Sequence, residues 1–145
     1  MSIQASNLAD DGFMDRDVAV AIVGVGLIGG SLAMALRGRP GVREVVGIDR
    51  DRDALAAALG MGAIDRMSTR LEAVGDCQVV VVAVPVQSIV PVIRDLLPFC
   101  SRGTVITDVG STKSQICQAV AGLLPEGIAF VGGHPMAGAE RRGIG

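Results

Sequence analysis

Short runs of apolar residues alternate with segments of helical periodicity along most of the chain. Several of these runs are apolar at nearly every position, which is typical of strands buried on both faces of a sheet. Six strands are therefore predicted: Val18–Val23, Val45–Asp49, Ile64–Met67, Val79–Val84, Thr104–Asp108 and Ile128–Val131.

The segments between these strands carry apolar residues at helical spacing. An alternation of strands and helices predicts an α/β fold, with a doubly wound and mostly parallel sheet covered by helices on both faces. We expect this domain to occupy residues 18–145 and residues 1–17 to form a flexible N-terminal tail. Four helices are predicted: Leu27–Arg37, one from a cap at Asp51 to Gly60–Gly62, one from a cap at Ser88 to Leu97, and Ser111–Leu124.

The first predicted strand runs directly into a G-x-G-x-x-G motif that opens the first helix. Gly24 permits a tight turn, Gly26 lets the backbone approach a pyrophosphate, and Gly29 lets the helix lie close to the strand. The N–H groups and the positive dipole end of such a helix favour phosphate. The motif predicts a Rossmann-type dinucleotide-binding domain, with a cofactor site that includes Gly24, Gly26, Leu27, Ile28 and Gly29.

The end of the second predicted strand carries an acidic residue, Asp49, 20 positions beyond Gly29. A carboxylate at this place accepts hydrogen bonds from the adenosine ribose hydroxyls and repels a 2′-phosphate, so NAD is favoured over NADP. The neighbouring Arg50 leaves NADP open, because a guanidinium can hold that phosphate.

The carboxyl ends of strands four to six are expected to converge on the same ligand. Val84, Pro85 and Gly110 are predicted to line the cofactor there. The only histidine, His134, follows the sixth strand and is a candidate proton acceptor. Ser111 is either a helix cap or a site hydroxyl. Two further residues, Lys113 and Glu140, are either substrate contacts or surface residues.

Three segments taken together resemble the prephenate/arogenate dehydrogenase family. The resemblance spans about residues 18–143 and implies oxidative decarboxylation of prephenate to 4-hydroxyphenylpyruvate, or of arogenate to tyrosine, in tyrosine biosynthesis. The segments are Gly24-Val25-Gly26-Leu27-Ile28-Gly29-Gly30-Ser31-Leu32, Asp108-Val109-Gly110-Ser111-Thr112-Lys113 and Gly132-Gly133-His134-Pro135-Met136-Ala137-Gly138.

The same resemblance implies roles for three residues. His134 would deprotonate the ring hydroxyl of the substrate, Ser111 would orient that hydroxyl and His134, and Glu140 matches an acidic residue after the histidine motif. Family members continue into a helical second domain that forms a homodimer and supplies further substrate contacts. We therefore expect this chain to bind the cofactor with little or no turnover by itself.

Composition narrows the other possibilities. A net charge of −2, a pI near 5.3 and 2% aromatic residues argue against a surface that binds nucleic acid or an anionic membrane. Three cysteines and one histidine argue against a multi-ligand zinc site and favour free thiols in a reducing cytoplasm. The uncharged stretch Val18–Leu36 is long enough to span a membrane, but its central glycines and acidic flank favour the first strand–helix unit.

Two other functions remain open on the residues. One is a two-domain dehydrogenase for a different small hydroxy acid, against which the histidine motif argues. The other is a non-catalytic NAD-binding regulatory module, which would have no need of His134 or Ser111.

Overall fold

In this computed structural model, residues 17–109 and 113–132 are described, the second range without the side chains of residues 113 and 114. Within these residues, six strands form one sheet whose neighbouring strands are all parallel, in the order β3-β2-β1-β4-β5-β6. Strand β1 thus lies at the centre of the sheet, with β2 and β3 on one side and β4, β5 and β6 on the other, as in doubly wound folds. The strands are β1 (Val18–Val23), β2 (Val42–Ile48), β3 (Arg66–Ser68), β4 (Val79–Val82), β5 (Val105–Asp108) and β6 (Ala129–Val131).

Helices occupy the crossovers between these parallel strands. In the described ranges they are α1 (Leu27–Leu36), α2 (Arg52–Gly60), α3 (Val86–Leu96) and α4 (Lys113–Ala121), with 3₁₀ turns at Leu71–Asp76 and Leu97–Phe99. The predicted α/β class and the parallel sheet are confirmed.

Two apolar cores lie on opposite faces of the sheet. Val80 and Val82 of β4 point toward α3 and α4, whereas Val81 between them points toward α1 and α2. Successive strand side chains face opposite ways, so a strand covered on both faces needs apolar residues at every position. The unbroken valine run of β4 follows from this arrangement.

Several element bounds differ from the predictions. Strand β2 starts at Val42 rather than Val45, and β4 ends at Val82 rather than Val84. Strand β3 covers Arg66–Ser68 instead of Ile64–Met67, because Ile64 is buried against α2 and β2 before the edge strand begins. An edge strand with exposed residues lacks the apolar signal that defines the central strands.

The predicted cap at Ser88 is wrong. Helix α3 begins at Val86, with Pro85 at the capping position in an extended conformation, and the Ser88 N–H donates to the Pro85 carbonyl at 2.8 Å. Pro91 consequently lies in the second turn. The cap at Asp51 is confirmed, since its carboxylate accepts from the N–H groups of Asp53 and Ala54 at 2.9 and 3.2 Å.

An arginine clamp joins three elements at the amino edge of the sheet. The Arg37 guanidinium donates to Asp65 Oδ1 at 2.7 Å and to the Gly62 carbonyl at 2.6 Å, and Asp65 Oδ2 accepts from the Val45 N–H at 2.8 Å. The clamp lines an open cavity of about 460 Å³. Its arginine and carboxylate already neutralise each other, so we assign it a structural role.

The uncharged stretch Val18–Leu36 divides into β1, the glycine turn and α1. No helix in the described part of the chain has the length and hydropathy that crossing a membrane requires. Each of the three cysteines is a free thiol. Burial raises the pKa of the Cys77 and Cys100 thiols to about 11, which keeps both protonated near neutral pH.

Replacement of a fully buried α3 residue should measure how much the stability of the fold depends on the core between the sheet and helices α3 and α4. Ile93 is 0% exposed, so we expect Ile93→Ala to lower the free energy of unfolding by about 2–5 kcal/mol. The adjacent Arg94 has a side chain 61% exposed, and Arg94→Ala should stay within about 0.5 kcal/mol of wild type. Urea unfolding of both variants followed by circular dichroism gives the values. A loss below about 1 kcal/mol for Ile93→Ala would contradict this account of the core.

Candidate functional site

The glycine turn between β1 and α1 lies at the carboxyl edge of the sheet, between the ends of β2 and β4. The Gly24 N–H donates to the Ile48 carbonyl at 2.8 Å, and the Ala83 N–H donates to the Val23 carbonyl at 2.7 Å. The turn is therefore hydrogen-bonded to the strand on each side, at the edge where open α/β sheets bind ligands.

Gly24 occupies a position that no other residue fits. Its φ of +99° is a conformation that L side chains rarely adopt, and a Cβ there would overlap the Ala83 carbonyl oxygen and lie 3.1 Å from Val84 Cγ1. The tight turn thus requires both the conformational freedom of glycine and its small size.

Gly29 and Gly26 have different surroundings. A Cβ on Gly29 would overlap the Gly24 carbonyl oxygen and lie 3.2 Å from Ile22 Cγ2, so this glycine lets α1 lie close against β1. A Cβ on Gly26 would meet nothing within 4 Å. Gly26 is the residue that precedes α1, and no described side chain caps the helix there. Among the described residues, nothing therefore blocks the side of Gly26 on which a Cβ would stand.

The first turn of α1 carries two exposed apolar side chains. Leu27 is 88% exposed and Ile28 is 53% exposed. Both were predicted to contact the cofactor, and both directly follow Gly26 in the chain.

The Asp49 carboxylate is bonded to the backbone on both of its oxygens. Oδ2 accepts from the Val25 N–H at 3.0 Å and Oδ1 accepts from the Asp51 N–H at 2.9 Å, while the Asp49 N–H donates to the Ser68 carbonyl at 3.2 Å. A carboxylate has about four acceptor positions, so each oxygen keeps capacity for a further donor. The side chain is half-buried, and the neighbouring Arg50 is exposed.

The structure thus brings together part of the sequence-predicted site. Gly24, Gly26 and Gly29 lie in one turn at this edge, with Asp49 bonded to Val25 of the same turn and Val84 beside Gly24. Pro85 is exposed beside them, immediately before α3. The residues predicted at the ends of β5 and β6 lie outside the described residues: Gly110, Ser111, His134, Glu140 and the side chain of Lys113.

Asp108 marks where the chain leaves β5 for that undescribed part of the site. It is the last residue of β5, is paired in register with Val82 and is 2% exposed. Because β5 and β6 run parallel to β1, both end at the edge that carries the glycine turn.

Two residues of this region were missed in the sequence. Val25, the first variable residue of the motif, is 6% exposed. A Cβ on Gly47, the second-last residue of β2, would lie 3.0 Å from Val25 Cγ1 and 2.7 Å from Ile64 Cδ1. A glycine inside an apolar strand indicates a close approach by another group, so Gly47 could have been found. Val25 carries no such signal.

The family of the prephenate dehydrogenase nucleotide-binding domain matches residues 32–145 of this chain. Among curated relatives, prephenate dehydrogenase of Bacillus subtilis (strain 168) is 35% identical over 127 residues, which cover 86% of this chain and 34% of that protein. Cyclohexadienyl dehydrogenase of Zymomonas mobilis subsp. mobilis is 33% identical over 128 residues, which cover 86% of this chain and 42% of that protein.

Solved structures agree with these matches. Prephenate dehydrogenase from Aquifex aeolicus, in complex with hydroxyphenyl propionate and NAD⁺, has a TM-score of 0.73 and 34% identity, and the match covers 83% of this chain and 42% of that one. Arogenate dehydrogenase from Synechocystis has a TM-score of 0.72 and 29% identity, over 81% of this chain and 40% of that one.

The chain therefore spans roughly a third to two-fifths of the length of these relatives. The family match starts just after the glycine motif, and the two curated alignments each cover 86% of this chain. The resemblance identified from the three motifs is confirmed, and the chain belongs to the family of the prephenate dehydrogenase nucleotide-binding domain.

Proposed function

We propose that this chain is the NAD-binding domain of a dehydrogenase that oxidatively decarboxylates prephenate to 4-hydroxyphenylpyruvate. The observation that carries the proposal is the glycine turn, where no described atom blocks the Cβ side of Gly26 and Asp49 accepts the N–H of the neighbouring Val25. Arogenate is the second candidate substrate, because the Synechocystis arogenate dehydrogenase fits this fold as closely as the Aquifex aeolicus enzyme does.

The cofactor pyrophosphate fits at the amino end of α1. Gly26 has no Cβ, and no atom of the described residues lies within 4 Å of where one would stand, so phosphate oxygens can approach the first N–H groups of the helix. The helix dipole favours the negative charge there. Leu27 and Ile28 would pack beside the bound dinucleotide, Val84, Pro85 and Gly110 would line its nicotinamide half, and the burial of apolar area adds to affinity.

The adenosine ribose fits at Asp49. Each carboxylate oxygen of Asp49 accepts a hydrogen bond from one backbone N–H and can accept another from a ribose hydroxyl. A 2′-phosphate would bring like charge against the carboxylate, so NAD is the expected cofactor. NADP is the alternative if the exposed Arg50 turns toward such a phosphate.

Catalysis is assigned to His134 and Ser111. NAD, when bound, supplies the hydride acceptor for the carbinol carbon of the substrate. His134 accepts the proton of the ring hydroxyl, and an ordinary histidine pKa near ~6.5 suits a base at neutral pH. Ser111 orients the hydroxyl. The ketone that results eases loss of carbon dioxide, and aromatisation of the ring drives that loss. Lys113 and Glu140 are assigned as substrate contacts.

The residues that complete the substrate site are assigned to a region that the longer relatives have outside the matched part. We propose that a helical second domain completes the substrate site and forms a homodimer, and that the present 145 residues bind NAD with little or no turnover. Full activity from these residues would contradict that division. Cysteines that are all free thiols fit a reducing cytoplasm.

Titration of this chain with NAD and NADP tests the cofactor assignment. We expect NAD to bind about tenfold tighter or better, since about 1.4 kcal/mol of charge repulsion is enough for that factor. Isothermal titration calorimetry gives both constants. Tighter NADP binding would overturn the assignment of Asp49, and binding of neither dinucleotide would overturn the proposed function itself.

Two glycines of the motif should respond differently to alanine. Gly26→Ala points its Cβ into open space, so we expect at most about 1 kcal/mol loss of unfolding free energy but at least about tenfold weaker NAD binding. Gly29→Ala overlaps the Gly24 carbonyl, so it should lower the free energy of unfolding by about 2–3 kcal/mol. Denaturant unfolding and calorimetry separate the two effects. Wild-type NAD affinity in Gly26→Ala would place the pyrophosphate elsewhere.

His134→Asn, made in a full-length protein that contains this domain, tests the proton acceptor. We expect turnover to fall about 10²–10⁴-fold with NAD affinity unchanged, because asparagine can hold a hydrogen bond but cannot accept the proton. Steady-state rates and a cofactor titration give the two values. The exposed Glu126, changed to glutamine, is the control and should retain wild-type turnover. Near-wild-type turnover in His134→Asn would remove the residue from this role.

A further inference from the structure

We propose that β2 positions the phosphate-binding turn by holding Val25 on two sides, with Asp49 bonded to its backbone and Gly47 making room for its side chain. Asp49 and Gly47 would then be positioning residues for the pyrophosphate, in addition to any contact between Asp49 and the ribose. The proposal rests on the proposed binding of a dinucleotide at this edge.

The backbone of Val25 is held by a carboxylate that cannot turn freely. Asp49 Oδ2 accepts from the Val25 N–H at 3.0 Å, across 24 positions of sequence. The other oxygen accepts from the Asp51 N–H at 2.9 Å, and the Asp49 N–H donates to the Ser68 carbonyl at 3.2 Å. Strand β3 and the start of the α2 crossover thus fix the orientation in which Asp49 meets the turn.

The side chain of Val25 is held by packing. It is 6% exposed and belongs to the apolar core on the α1 and α2 face. A Cβ on Gly47 would stand 3.0 Å from Val25 Cγ1 and 2.7 Å from Cδ1 of Ile64, which is itself 1% exposed. Since Ile64 is enclosed, any side chain at position 47 must displace Val25, Ile64 or both.

A displacement of Val25 would be passed directly to the proposed pyrophosphate position. Gly24 on one side is bonded to the Ile48 carbonyl and packed against Ala83, so it has little freedom to compensate. Gly26 on the other side has no described atom within 4 Å of the position of a Cβ, and it is the residue that precedes α1. The movement would therefore appear at Gly26 and at the first N–H groups of the helix.

This role can be separated from recognition of the ribose. If Asp49 acted only through the ribose hydroxyls, its replacement would not change the affinity for a cofactor that lacks them. If Asp49 also holds the turn, its replacement weakens that ligand too. The discriminating probe is NAD with a 2′,3′-dideoxyadenosine half, which keeps the pyrophosphate and the nicotinamide.

The first test is Asp49→Ala in the 145-residue chain, titrated calorimetrically with NAD and with the dideoxy analogue. We expect the analogue to bind about tenfold weaker to Asp49→Ala than to wild type, and NAD to lose more, because a hydrogen bond to a charged group has been removed from the turn. Asp49→Asn retains one acceptor oxygen and should recover part of the analogue affinity. Equal analogue affinity in wild type and Asp49→Ala would overturn the proposal.

The second test is Gly47→Ala, which touches no ribose group. It should weaken NAD and the dideoxy analogue by the same factor, again about tenfold, whereas wild-type affinity for both would contradict the role of Gly47. If Gly47→Ala does not fold, as judged by circular dichroism, the result with Asp49→Ala decides by itself.

The matched control is Asp65→Ala. Asp65 also accepts a backbone N–H of β2, that of Val45 at 2.8 Å, but it lies at the opposite edge of the sheet. Its replacement should lower stability without changing the affinity for either ligand, and an equal loss of affinity would attribute the effect to general destabilisation. Failure of the wild-type chain to bind NAD at all would instead overturn the proposed function.

Discussion

The contact between Gly29 and the Gly24 carbonyl determines how closely α1 lies against β1. Because neither residue carries a Cβ, the helix begins within one turn of the strand end, and its amino terminus lies over the centre of the sheet. The remainder of the candidate site is arranged around that point. Strands β2 and β4 flank the turn, and residues that follow them contact it: Asp49 accepts the Val25 N–H, and Val84 lies beside Gly24.

The two edges of the sheet have different roles. At the carboxyl edge, backbone groups are bonded to the turn but leave the amino end of α1 open, as a phosphate site requires. At the amino edge, Arg37 and Asp65 join the end of α1 to the α2–β3 connection and to β2. The helix is thus fixed at its far end by an ion pair and a backbone bond, while its near end is left available for a ligand.

Much of the fold was predictable because its signals are local. The apolar run of β4 reports burial on both faces, and Asp51 before an apolar periodic segment is a helix start that the structure confirms. Ser88 had the same local signature, but α3 already begins at Val86, two residues earlier, and the carbonyl of Pro85 at the capping position accepts the Ser88 N–H. Edge strand β3 was misplaced because a strand with little burial has no apolar pattern to recognise.

The sequence by itself determined the fold class, the glycine turn and the family, since each depends on residue types at short and regular spacing. The tertiary structure decided what Asp49, Gly47 and Val25 do to one another. Asp49 is 24 positions from Val25, whose N–H donates to it, and Arg37 is 28 positions from Asp65, to whose carboxylate it donates. Such pairs meet only after strand order and register bring β1 beside β2, and no local pattern encodes that meeting. Their contacts therefore became visible only in three dimensions.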